Sequence, residues 1–364
     1  MIASLRGIAR RTRAPRALAL LCACTAPAAA AEFVPTGVIY YDALEAHPDA
    51  RPLADADKVR SARLGFGVKA ERWQIAVEHE FTDRSTPDAY LQLTPRKGHW
   101  LRAGQFKMPF LLEDATSARQ TPLMEHSLLG ALAIGRRIGL AYGYADATRA
   151  YAAGAYGQRL DGKNEGVGVA ARASRAFLRS EAGLLHLGLG AAAEWPREER
   201  LRVSSKPESA LASASLVDTG AVPGVERHAR AGLEALWLHG AWSLQGEAAA
   251  VRAEDAAGRP LRGNGGYALA SWSPSGHARS YRNGSVGAPS PGDGTAWELF
   301  VRYGALDLDS PVARGGRQSD WSFGATWYAG RHVRAMANYV VASSRRRGVE
   351  DDPRLLQVRL QLAF

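Results

Sequence analysis

The chain has 364 residues, a formal charge of +10 and 46% hydrophobic residues. Its two cysteines, Cys22 and Cys24, both fall before residue 31, so the remainder has no disulfide framework, cysteine metal site or thiol nucleophile. A basic balance of this kind points to nucleic acid, membrane or an anionic ligand. Here the charge is dispersed over alternating segments with no basic helix or aromatic-basic platform, so no nucleic-acid partner is expected.

Residues 1–31 read as a signal peptide. Arg6, Arg10, Arg11, Arg13 and Arg16 form the basic region, Ala17 to Thr25 the apolar region, and Ala29-Ala30-Ala31 a small-residue cleavage site. An inner-membrane helix is excluded, because about ten apolar residues cannot cross about 30 Å of hydrocarbon. Leu21-Cys22-Ala23-Cys24 offers a lipoprotein alternative. Removing the five arginines lowers the charge from +10 to +5. Residues 32–364 then read as one domain.

That domain is a succession of runs with period two, the signature of half-buried strands. The expected strands are 34–46, 58–70, 72–82, 88–95, 99–106, 136–145, 148–158, 166–177, 184–195, 227–239, 241–253, 265–274, 295–308, 319–329, 332–344 and 353–364. They make sixteen, an even number. In the second, Leu64, Phe66 and Val68 alternate with Arg63, Gly65 and Lys69. In the last, Leu356, Val358, Leu360, Leu362 and Phe364 share one face, and Gln357, Arg359 and Gln361 the other. An apolar outward face and a polar inward face are what a closed antiparallel transmembrane β-barrel with a wet lumen requires. On this reading Leu360→Arg is harmful and Arg359→Leu is tolerated.

Four connections are long. Segment 109–135 is too rich in Leu, Phe, Met and Ala to be disordered and too long for a hairpin loop, so it is expected to fold into the barrel as a constriction. Segment 196–226 contains a strand-like piece, 201–217, placed in the loop because an odd strand count would put the chain ends on opposite sides. Segment 275–294, rich in Ser, Gly and Pro, is expected to be mobile and solvent-exposed. Segment 345–352 is expected to be a charged, solvated tip.

No G-x-S-x-G, H-E-x-x-H or phosphate-loop motif occurs, and the spacings Gly188-x-Gly190 and Gly65-x-Gly67 lie inside strands, not at a strand-to-helix turn. No enzyme activity, metal or cofactor is expected. The candidate chemistry is a lumen lined with cations: Arg63, Lys69, Arg102, Lys107, Arg119, Arg136, Arg137, Arg302, Arg334 and Arg359. Rings of Arg and Lys favour anions, and the planar guanidinium can take two oxygens of phosphate or carboxylate at once. The competing reading pairs these arginines with Glu78, Glu80, Glu247 or Glu298 to hold the wall.

Several motifs carry a family resemblance. R-A-G-Q-F-K-M-P-F (102–110), A-T-S-A-R (115–119) and G-R-R-I-G (135–139) resemble the phosphate-selective porins O and P. So do R-L-G-F (63–66), D-T-G near residue 220, A-W-E-L-F-V-R-Y (296–303), G-A-T-W-Y (324–328), A-N-Y-V (337–340) and the closing R-L-Q-L-A-F (359–364). The order holds over nearly the whole chain. The resemblance implies a homotrimeric bacterial outer-membrane porin passing small hydrophilic solutes, with anions such as phosphate or polyphosphate as candidates and outer-membrane lipid around it. It places Arg119 where relatives carry the lysine of a T-S-x-K run. It also places Lys206, within Arg202 to Pro207, in a second basic cluster where Ser204 replaces a cation. Ser273 to His277 departs from the Leu-Thr-Gly-Glu turn of relatives. The alternatives are a non-specific porin, a barrel enzyme, and an adhesin or receptor using exposed loops.

Overall fold

The structure is a computed structural model and describes residues 31–364; the expected signal peptide, 1–31, lies outside the described residues except for its last residue. Sixteen strands follow in chain order: β1 Glu32–His47, β2 Ala56–Lys69, β3 Trp73–Glu80, β4 Ala89–Leu93, β5 His99–Lys107, β6 Arg136–Ala145, β7 Arg149–Tyr156 and β8 Val167–Phe177. Then come β9 Gly183–Trp195, β10 His228–His239, β11 Trp242–Glu254, β12 Pro260–Trp272, β13 Thr295–Ser310, β14 Ala313–Ala329, β15 Val333–Arg346 and β16 Arg354–Ala363. Each pairs antiparallel with the next, and β1 pairs with β16, Val38 opposite Ala363 and His47 opposite Arg354. The sheet is therefore closed, which leaves no unpaired edge in lipid.

All sixteen expected strands are present. The largest boundary differences are in β12 and β14, which begin five and six residues before the alternating hydrophobic runs. The added part of β14, Ala313 to Gln318, is polar and contains two glycines, because its outer face has climbed above the apolar band.

At the mouth that holds both chain ends, the connections are short turns, apart from 273–294. The other mouth carries the longer loops, so the termini mark the periplasmic side. Trp73, Trp237, Trp242, Trp272 and Trp297 are outward and exposed near that mouth, as an interfacial aromatic girdle should be. Phe364 closes the seam: its ring occupies the space a Cβ at Gly37 would need, 2.3 Å away.

Three connections enter the lumen. Residues 108–135 fold in as expected, with a helical turn α1 at Leu112–Ala115 and two short 3₁₀ turns at Ala118–Gln120 and Leu128–Leu132. The expected loop 196–226 forms two small ladders, Arg200–Leu201 with Val222–Pro223 and Ser204–Ser205 with Val217–Asp218. The third corrects an expectation. Segment 275–294 is not a free loop, because Arg279–Arg282 and Ser285–Pro289 form a hairpin inside the barrel with Val286, Ala288 and Pro289 buried. Composition misled here. The few anchoring residues, Arg279, Tyr281 and Val286, are scattered among the glycines and serines. Segment 345–352 is likewise not only a solvated tip: Val349–Asp351 pairs back onto β15, and buried Asp351 accepts from the Ala50 N–H at 3.0 Å.

Candidate functional site: a divided lumen

The loop 108–135 does not hang free. Its apolar residues Phe110, Leu111, Leu123, Leu128, Leu129, Leu132 and Ile134 pack on inward-facing Val251, Leu261, Tyr267, Leu306 and Leu308 of β11–β13. The Glu247 carboxylate, from β11, accepts from the backbone N–H groups of Leu112 (2.8 Å) and Glu113 (2.7 Å). It satisfies donors that the first turn of α1 leaves open.

Two arginines expected to line the pore serve as anchors: Arg302 lines neither of the lumen's two chambers, and Arg359 only borders one. Arg302 on β13 is buried and holds Glu113 of this loop at 3.2 Å, Glu208 of the 196–226 loop at 2.7 Å, and the Glu125 carbonyl at 3.1 Å. Arg359 on β16 forks onto Asp42 at 2.6 and 2.7 Å and reaches the Met124 carbonyl at 2.7 Å and Glu125 at 2.9 Å. The expectation that Arg359→Leu is tolerated therefore fails. The wet-face position is in fact a buried ionic post, and losing one partner of such a pair costs about 3–5 kcal/mol.

Glu113 is the loop's hub. It accepts from the Ser127 N–H at 2.9 Å and the Ser127 hydroxyl at 2.7 Å, and His126 Nδ1 lies 3.7 Å from it. Burial alone would raise its pKa. Hydrogen bonding and charge from His126, the Arg302 charge and the Ser127 bonds outweigh burial and hold it at about 2. Burial pulls His126 down, but Glu113 wins and sets its pKa above the ordinary 6.5.

The loop divides the lumen. On the periplasmic side a chamber of about 1000 Å³ runs along β1–β7 and is lined by Arg63, Lys69, Arg102, Lys107, Arg119, Arg136 and Arg359, among others. On the outer side a chamber of about 1030 Å³ is lined by Arg137, Lys206 and Arg230. Asp114, Glu125 and His126 border both. A passage between the chambers would run past these three residues. Arg302 is buried behind the loop, and Arg334, which lines neither chamber, stacks 4.7 Å over the Tyr328 ring.

Ten Arg and Lys side chains line the inner chamber against five Asp and Glu. Six of the ten are paired. Arg63 binds Glu80 at 2.8 Å, Arg136 binds Asp88 at 2.9 Å, Arg172 binds Glu234 at 2.7 Å, Arg60 lies 3.8 Å from Glu125, and Arg359 is held as above. Arg119 binds Glu78 at 3.1 Å, one of the carboxylates named by the wall-holding reading. In the outer chamber Arg137 pairs with Glu165, whereas Lys206 has no carboxylate partner among the described residues.

Four cations of the inner chamber, Lys69, Arg102, Lys107 and Arg282, have no carboxylate partner among the described residues. Arg102 is held without neutralisation, donating to Gln92 at 2.6 Å and stacking 4.3 Å from the Tyr90 ring. Lys107 donates to the carbonyls of Asp114 (2.5 Å) and Thr116 (2.9 Å), which leaves its charge uncompensated at the foot of the passage.

Sequence reasoning missed the hairpin's part in this site. Arg279 binds Glu298 at 2.8 Å and also the Gln120 carbonyl. The Gln120 side chain accepts from the Ala288 N–H at 2.6 Å. Arg172 donates to the Gly284 carbonyl at 2.7 Å, and Tyr281 meets His186 at 2.7 Å. The hairpin thus braces the constriction loop and presents Arg282 to the chamber. Inward-facing His186 and Glu234 on the adjacent β9 and β10, and Glu298 on β13, were the available signal for an ionic partner inside.

A closed sixteen-stranded barrel with an aromatic girdle and a loop-narrowed, charged lumen defines an outer-membrane porin, a channel protein of the bacterial outer membrane. The chain belongs to the family described as phosphate-selective porin O and P, whose family model matches residues 40–364. A protein of Caulobacter vibrioides is 28% identical over 76% of this chain, and the chain spans 59% of that relative's length. Among solved structures, the trimer form of OmpT from Vibrio cholerae matches with a TM-score of 0.58 at 10% identity, covering 92% of this chain and 99% of the other. An anion-selective porin from Comamonas acidovorans matches with a TM-score of 0.58 at 12% identity, covering 92% and 100%. At these identities the structural likeness bears on the fold.

Proposed function

We propose that this porin passes small hydrophilic solutes with a preference for anions, and that Lys107 and Arg102 set that preference more than Arg119 does. The observation carrying the proposal is the uncompensated charge of the inner chamber: Lys69, Arg102, Lys107 and Arg282 stand without carboxylates in a water-filled passage. A low-dielectric wall focuses such a field and raises the local anion concentration. The sites stay weak enough to release an ion, because Arg102 and Lys107 contact an amide, carbonyls and a ring rather than forming a closed cage.

The remaining proposed lining residues act indirectly. Arg63, Arg119, Arg136 and Arg137 carry their charge next to a carboxylate, and Arg302 and Arg359 position the loop. Lys206 extends the positive field into the outer chamber. Phosphate is the leading solute on the strength of the family and of guanidinium geometry. A homotrimer is proposed from the family and from the trimeric neighbour. The paired arginines favour one second reading, a general porin in which these groups only hold the wall.

The deciding measurement is the reversal potential across a planar bilayer in a potassium chloride gradient, repeated with added phosphate. An anion-directed potential that collapses in Lys107→Gln, with chloride conductance blocked by phosphate, is the expected result. A potential near zero that is indifferent to Lys107 would establish the general porin.

A further inference from the structure

The outer wall carries a charge pattern of its own. Trp242 faces Trp272 across β11–β12, and Trp297 faces Trp327 across β13–β14, all outward at the periplasmic end. Ten residues further along the same strands, on the same face, stand Arg252, Arg262 and Arg317. Arg252 is directly opposite Arg262, and Arg317 directly opposite Arg345 of β15. Ten residues at about 3.3 Å each, on strands tilted by about 40°, climb about 25 Å, the height of the apolar band of an outer-membrane barrel. These arginines therefore stand at the outer headgroup level. They are not part of the lumen: the neighbouring Gln318 and Ser344 are the inward, buried residues, and Gln318 donates to the Lys206 carbonyl.

Like charges directly opposite one another on a sheet repel. Arg317 is relieved in part by Asp307 at 2.9 Å, and Arg345 only by Glu350 at 3.9 Å. Arg252 and Arg262 have no carboxylate partner among the described residues.

Two recesses meet at Arg317 and Arg345. The upper, about 430 Å³, is lined by Arg314, Arg317, Arg345 and Arg347 against a single acid, Asp309. The lower, about 610 Å³, is shallow and runs over Gly266, Ala305, Ser319 and Ser343, with Asp307 and Glu350 at its edge. These small residues stand where Leu, Tyr and Trp cover the wall elsewhere in the band.

We propose that this furrow binds a phosphorylated glycolipid of the outer leaflet. The phosphate seats in the arginine recess, and the junction of sugar and acyl chains lies against the small residues below. Charge complementarity selects the occupant: four guanidinium groups at headgroup height suit a phosphate monoester, whose oxygens each fork accepts in pairs. The site is separate from the permeation path and does not depend on which solute passes.

The test uses the full mature chain, refolded in detergent and mixed with bisphosphorylated lipid A, with retained lipid counted by native mass spectrometry. The wild-type protein should retain lipid A, and Arg317→Gln/Arg345→Gln should weaken retention roughly tenfold to thirtyfold, at about fivefold per basic residue near an anionic headgroup. Arg149→Gln/Arg175→Gln removes an outward pair at the opposite mouth and should change nothing. Dephosphorylated lipid A on the wild-type protein should bind as weakly as the furrow variant, a comparison that needs no variant to fold. Equal retention by the furrow variant overturns the proposal. So does displacement of the lipid by millimolar inorganic phosphate, which would make this a free-anion site. A changed oligomeric state in the furrow variant would make it a contact between copies of this chain.

Discussion

The β1–β7 side of the barrel and the β9–β14 side obey different rules. Along β1–β7 the inward residues include Arg63, Glu78, Arg102 and Arg136, and they face an open chamber. Along β9–β14 many inward residues are apolar, Ala192, Leu236, Val251, Leu261, Leu306 and Leu308 among them, and they face packed loop. A barrel wall is polar inside only where its inside is water. Where both faces of a barrel strand are apolar, the inner face marks the seat of a plug.

The sharpest way to break the distinction is to cut a post on the filled side. Arg302→Met leaves Glu208 buried without a cation and Glu113 with His126 alone, and should destabilise the barrel by about 3–5 kcal/mol. Urea unfolding in detergent should show the loss, and the surviving channels should have larger, noisier conductance because two loops share that post. Arg359→Met should follow with a similar loss, acting through Asp42 and Glu125. An outward change on the same strand is next in size. Leu360→Arg puts a charge toward lipid and should cost about 2–4 kcal/mol near the midplane, read as slower folding into vesicles by gel shift. A Leu360→Arg variant that folds into vesicles as fast as the wild type would show the faces to be misassigned.

Effects on the open side are smaller and concern selectivity. Lys107→Gln should lower the anion-to-cation permeability ratio on the order of fivefold, the effect of about 1 kcal/mol from a charge a few ångströms from the ion. Arg119→Gln/Glu78→Gln removes a neutral pair and should leave that ratio within a factor of two. A fivefold drop in the pair variant would return Arg119 to the role the family pattern suggested for it.

The finest test concerns pH. His126 borders both chambers, and its pKa is raised by Glu113. Its ionic link to Glu113 is therefore fully present below about 6.5 and is lost as pH rises through the higher folded-state value. Reversal potentials should become less anion-directed over that interval, and His126→Gln should flatten the response. A profile unchanged in His126→Gln would place the passage elsewhere.

The barrel itself was legible because lipid is an unforgiving solvent. It forces outward positions within the hydrocarbon band to be apolar, so strands such as Leu356 to Phe364 announce themselves at period two. The constriction loop was legible from Phe110 and Leu123 to Leu132, too apolar to be free. The pairing of the arginines was not. Arg302 and Arg102 occupy equivalent inward positions in the pattern, and only the distance to Glu113 and Glu208 separates a buried post from a free cation. The hairpin at 279–289 escaped notice because a few anchors, not its composition, hold it in place. Arg282 escaped with it.

The inner chamber also has an arithmetic of water. At about 30 Å³ per molecule, its volume of about 1000 Å³ accommodates roughly thirty waters. On the anion preference proposed above, a chamber of this size would let an anion keep its first hydration shell beside Lys69, Arg102 and Arg282. Charge would then be weighed in the chamber, and size at the border formed by Asp114, Glu125 and His126.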